Sequence, residues 1–228
     1  MPNWCNNYAV LTGAKEDIEK LVNALTRKVR IDDDVSEFWW APLVSSDEDN
    51  LLENRLLFAR ALKYEDLGCP KKMEEFGYWD CVTYIGTKWD PDFDLNVLNP
   101  DEVTLSFDSA WSPPLRAMVI LANKYNLDVE IEYDEPGCDF GGTLTYSAND
   151  KQIYTVQTHY LHWTWLVHGH DEVEAFLEAE CYHLDPEDRE NLREEIKSWS
   201  REDLNEMREG PVTYESFVNG YVVDASCR

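Results

Sequence analysis

All five histidines of the chain, His159, His162, His168, His170 and His183, fall within one short segment. On an extended backbone His168 and His170 point to the same side, as a chelating pair does. Cys181 and His183 repeat that spacing and could complete a four-ligand zinc site. Against this, neither H-x-H nor C-x-H is the spacing of a familiar zinc finger. Trp163 and Trp165, interleaved with the histidines, suit packing or interface use equally well. Core and surface histidines are the favoured reading, with zinc the alternative and no other cofactor implied.

A second candidate is "TKWDPDFD", where Asp90, Asp92 and Asp94 alternate beside Lys88. The spacing resembles the opening of a calcium loop, but the Gly at the sixth position and the Glu at the twelfth are absent. Carboxylate pairs that do acid-base chemistry need a pocket that raises one pKa, so a solvated acidic loop is the simpler reading. There is no phosphate loop, dinucleotide glycine pattern, nucleophile elbow or H-E-x-x-H pair. The glycines of "PGCDFGG" read as hairpin and bulge positions.

Charge narrows the classes of partner. The chain has 46 acidic and 20 basic residues, a formal net charge of -26. Direct nucleic-acid binding is disfavoured, because affinity for phosphate comes from Lys and Arg. An acidic membrane surface is disfavoured on the same ground. A basic partner is favoured, and the field would steer one at low salt; solubility alone is the plainer meaning of such a charge. The densest acidic stretch is C-terminal, where Asp171, Glu172, Glu174, Glu178, Glu187, Asp188, Glu194 and Glu195 would form an interaction surface. Six scattered cysteines without a C-x-x-C pair read as reduced thiols. With no secretory start and no long apolar run, a cytoplasmic protein is expected.

The elements that must position these groups follow from periodicity. Residues 4–12 alternate as a strand, and "AKEDIEKLVNAL" has Ile18, Leu21, Val22 and Leu25 at helical spacing. An acidic, turn-rich insertion runs from about 30 to 77 and includes a predicted helix at 51–62. "YWDCVTYIGTKWD" reads as a strand, rich in aromatic and β-branched residues, and "PDFDLNVLNPD" as a loop. "EVTLSFDSA" is a half-buried strand. "SAWSPP" then predicts a helix start with Ser112 as cap and Pro113 at the first helical position. In that helix Leu115, Met118, Val119 and Ala122 share a face. "LDVEIEYDE", "DFGGTLTYS" and "KQIYTVQT" are strands joined by turns. Helices are predicted at 171–181, 186–199 and 202–208, while "YESFVNGYVVDAS" is compatible with helix or strand. The order argues for an α+β fold, a ferredoxin-like split βαβ sandwich with an extended antiparallel sheet, an acidic insertion and a C-terminal helical extension. The expected division is a ferredoxin-like domain over 1–158 and an acidic helical extension over 159–228.

Read together, "MPNWCNN", "GTKWD", "FDSAWSPP" and "YDEPGCDFGG" resemble, in that order, the YubB ferredoxin-like family of plasmid- and phage-encoded accessory proteins. The resemblance covers the N-terminal two thirds and implies the fold and a mobile-element setting in a bacterial host cell, with no catalytic residues to carry over. Trp4, Trp89 and Trp111 of the shared motifs read as a structural cluster. The alternative is a ligand or partner platform at that end of the sheet, built with Lys88 and Asp90. The function expected is a non-enzymatic protein that binds a basic or nucleic-acid-binding host protein through an acidic surface, as a nucleic-acid-mimicking inhibitor of host defence. A metal-dependent enzyme using the histidine segment and a small-ligand module are the alternatives, and the sequence sets no oligomeric state.

Overall fold

The computed structural model describes residues 3–26, 29–30, 51–52, 62, 66–68, 78–88, 91, 93–167, 169, 173–175, 177–178, 185–200 and 206–220. Its frame is β1 (Trp4–Thr12), α1 (Lys15–Thr26), the two-residue strands β2 (Val29–Arg30) and β3 (Leu51–Leu52), α2 (Tyr78–Tyr84), β4 (Asp94–Asn99), β5 (Glu102–Ala110), α3 (Leu115–Tyr125) and β6 (Asp128–Glu135). There follow β7 (Phe140–Ser147), β8 (Gln152–Thr158), α4 (Tyr160–Val167), α5 (Pro186–Ser198), β9 (Glu209–Thr213) and α6 (Tyr214–Gly220). Seven strands form one sheet in the order β4-β5-β1-β6-β7-β8-β9, every neighbouring pair antiparallel. The first four are the ferredoxin-like core, in which β1-α1 and β5-α3-β6 interleave so that β1 lies between β5 and β6. The last three extend the sheet.

Strand alternation sends Cys5, Ala9 and Leu11 of β1 to one face, with Val103, Leu105 and Phe107 of β5, Ile131 and Tyr133 of β6, and Leu144 of β7. Ile18, Leu21 and Leu25 of α1 cover that face together with α3. Each such side chain taken fully from water contributes about 1.5–3 kcal/mol. Asn7 also points inward. Its amide donates to Cys5 O (2.7 Å), Ser109 Oγ (2.9 Å) and Phe107 O (3.2 Å), which keeps a buried polar group satisfied across β1 and β5.

Several expectations change. Residues 78–84 are a helix rather than a strand, and the strand that should occupy that place is β4, inside the stretch read as a loop. Leu51 and Leu52 pair as strand residues with Arg30 and Val29 where a helix was expected to begin; residues 53–61 lie outside the described residues. α3 is buried at every position from Leu115 to Ala122, not on one face alone, because α6 packs on its other side and closes the question of "YESFVNG" in favour of a helix. Ser112 does not cap α3: the helix starts at Leu115, two residues after the predicted Pro113, and the Ser112 hydroxyl donates to Gly86 O at 2.6 Å. The helix predicted at 186–199 is present over Pro186–Ser198, with the Asp185 carboxylate accepting from the N–H groups of Glu187 and Asp188, both at 2.9 Å. Among the described residues no helix is long and apolar enough to cross a membrane.

Candidate functional site: the open face of the sheet

The side chains that strand alternation sends away from α1 and α3 form the second face. On β6 these are Asp128, Glu130, Glu132 and Asp134, at every second residue and so roughly 7 Å apart along the strand. The register sets Tyr8 between Ser106 and Glu132, Val10 between Thr104 and Glu130, and Asn6 between Asp108 and Asp134. Asp94 and Glu102 complete seven carboxylates on this face. None of the seven strands of the sheet contains a lysine or arginine.

Aromatic rings stand in this field, with Trp4 at 47% and Tyr8 at 44% exposure. Asn6 donates to Asp134 at 2.9 Å. Partial burial, and then the negative charge of Asp134, hold the Asp108 carboxyl above its ordinary range. Like charges therefore crowd each other here, and a cation laid on the face relieves them.

One end of the face is covered by α4. Gly141, opposite Asp134 and Thr158, has room for no side chain, because a Cβ there would lie 2.3 Å from the Trp163 ring. Asp139 fixes the entry to α4: one carboxylate oxygen accepts the Tyr160 N–H at 3.1 Å, and the other lies 2.8 Å from His159 Nδ1. The outer side of α4 packs on α5, where the His162 ring stacks on Trp199 at 3.8 Å and Arg193 bridges to Glu174 at 2.8 Å.

That stacking sets a pH dependence. Burial pushes the His162 pKa below 6.5 and the neighbouring His159 adds to it, while Glu195 and Asp139 oppose. The unfolded or undocked state takes up the proton first, so docking is at full strength above about pH 6.5 and weakens as the pH falls below it. Acidification from about pH 8 to about pH 5 is expected to lower the protection factors of the α4 and α5 amides, that is, exchange measured relative to the intrinsic rate at each pH. His162→Phe should make the profile flat, and a flat profile in the unaltered protein contradicts this assignment.

Of the residues singled out from sequence, the structure brings Lys88 and Trp111 together, the ammonium 4.1 Å from the indole centroid. Trp111 takes φ +72°, a left-handed conformation unusual for a bulky residue, and its N–H donates to Asn3 O at 3.0 Å. Trp4 lies on the open face, opposite Ala110 at the end of β5 that leads into Trp111. Trp89, Asp90, Asp92, Asp171, Glu172 and the zinc candidates His168, His170, Cys181 and His183 lie outside the described residues. Among those described, no group of three or more His, Cys, Asp and Glu side chains could hold a metal ion. Glu178, Glu187, Asp188, Glu194 and Glu195 are exposed, whereas Glu174 is half-buried in its pair with Arg193. The β6 carboxylates were missed, though the alternation in "DVEIEYDE" is the signal that could have found them.

Comparison with known proteins follows this geometry. Residues 86–160, from the loop before β4 to the start of α4, match the family described as ferredoxin-like domain in Api92-like protein. A crystal structure of a protein api92 from Yersinia pseudotuberculosis is similar at a TM-score of 0.41 and 11% identity, over 66% of this chain and 96% of that one. No curated protein matches the chain. The sheet that carries the carboxylates is thus built on a ferredoxin-like domain similar to that of Api92-like proteins.

Proposed function

We propose that this is a non-enzymatic binding module whose open sheet face engages a basic or nucleic-acid-binding protein. The observation that carries the reading is the seven carboxylates on that face, with no lysine or arginine in any strand of the sheet. The wider field of the chain, net -26, supports it by drawing such a partner in over longer range. Exposed acids of α5, among them Glu187, Asp188, Glu194 and Glu195, extend the negative surface beyond the sheet. The resemblance of the sequence motifs to the YubB family supports a plasmid or phage accessory role in the cytoplasm of a bacterial host. There the acidic face would occupy a nucleic-acid site and inhibit host defence.

The test compares capture from bacterial lysate by the intact chain and by a Glu130→Gln, Glu132→Gln, Asp134→Asn variant. The expected partner is basic, is competed off by nucleic acid, and is lost to the variant by tenfold or more. Raising salt from about 50 to about 300 mM should release it, since exposed charge pairs are screened within a Debye length. An acidic partner, or a complex indifferent to salt and to the variant, overturns the reading.

A further inference from the structure

We propose that the groove between α4 and the open face is an arginine-selective subsite for an extended basic segment, and that the chain's own Arg208 occupies one end of it in the unbound protein. This rests on the acidic-face reading above and adds to it which cation is preferred and where.

The groove encloses about 440 Å³. Glu130 and Glu132 form its floor, Trp163 and Leu166 of α4 its wall, and Tyr154 one end. Beyond Tyr154 a second hollow of about 330 Å³ shares Glu130, Thr145, Tyr154 and Arg208 with the first and continues to Asp128. The two make one channel along β6. Its carboxylates recur every second residue, which is also the period at which an extended segment presents side chains to one side. A segment with a cation at alternate positions therefore meets Asp128, Glu130 and Glu132 in step. Charge is available for it: none of these three takes part in an ion pair among the described residues.

Arginine rather than lysine is indicated by what the channel already holds. The Arg208 guanidinium lies over the Tyr154 ring, 4.2 Å from its centroid. Arg208 is exposed, stands immediately before β9 and makes no ion pair among the described residues, so its hold on the ring is weak and replaceable. A planar guanidinium can lie flat on Tyr154 while giving two N–H groups to a carboxylate. An ammonium is a point charge and gains less from the ring.

Fluorescein-labelled Arg-Thr and Lys-Thr repeat peptides of equal charge test this with the full chain, by anisotropy at low salt. The Arg repeat is expected to bind about tenfold tighter than the Lys repeat, and Tyr154→Leu should bring the ratio close to one. Arg208→Ala, a surface change, should tighten the Arg repeat about two- to fivefold, the range given by an exposed cation–π contact of about 0.5–1 kcal/mol. Equal affinity for the two repeats overturns the subsite and leaves the acidic face standing. Weaker or unchanged binding of the Arg repeat to Arg208→Ala overturns the internal occupant. Failure of both repeats to bind overturns the acidic-face reading together with the subsite.

Discussion

Replacing Arg116 with methionine is expected to lower the unfolding free energy by about 3–5 kcal/mol, although the site is remote from the open face and the volumes are similar. Arg116 is buried in α3, and its guanidinium donates to Tyr84 O at 2.6 Å, Leu67 O at 2.8 Å and Val218 O at 2.9 Å. Those acceptors belong to three separate parts of the chain: the end of α2, the insertion and α6. Methionine fills the space but leaves three carbonyls short of a donor, and each unsatisfied buried group costs about 1–3 kcal/mol. Arg116→Lys should recover only part of the loss, because one ammonium cannot reproduce the fork of the guanidinium. Urea denaturation measures both variants. A loss below about 1 kcal/mol for the methionine variant would mean that the three segments are held by other contacts.

The second large effect is expected at Gly141. An added methyl group would meet Trp163 Cγ at 2.3 Å, Cδ1 at 2.4 Å and Cβ at 2.6 Å, too close on every side of the approach for a small adjustment. Trp163 is buried, and β7 is fixed by partners on both edges, so α4 is the element that must lift. Gly141→Ala should cost about 1–3 kcal/mol by overpacking. It should also shift tryptophan emission to the red as Trp163 meets water. The same variant removes a wall of the groove, so the preference for the Arg repeat should fall while charge-driven binding of either peptide persists. A native emission maximum would show that the sheet, not the helix, gives way.

The ferredoxin-like order was legible even though two of its pieces were exchanged. "YWDCVTY" is rich in strand formers yet forms α2, whose last residue, Tyr84, packs against the core that the following Ile85 enters. "PDFDLNVLNPD" was read as a loop because Pro91 and Pro100 bound it. The prolines flank β4 rather than exclude it, and an edge strand paired on one side tolerates its asparagines. One strand was still counted before β5, so the topology came out right. At "SAWSPP" the local rule for a helix cap lost to a longer-range bond, since Ser112 reaches Gly86 instead.

The candidate site was less legible for a different reason. Alternation identifies β6 as a strand, but not that its acids share a face with Asn6, Tyr8 and Asp108, which depends on a pairing with β1 more than a hundred residues away. Nor does the local pattern show which face α1 and α3 leave uncovered. Density of acids along the chain pointed instead to the C-terminal helices, where Arg193 already answers Glu174 and Glu190.

The place of β9 bears on how the molecule is made. β8 is complete at Thr158, but the strand that covers its outer edge begins only at Glu209, after α4 and α5. During synthesis the bare edge of β8 leaves the ribosome well before its partner, and an uncovered edge is a template for pairing with other chains. The stretch between β8 and β9 is rich in acids, and like charge on unfinished chains opposes their association. A product cut short before Glu209 keeps every strand of the ferredoxin-like core and lacks the one that seals it.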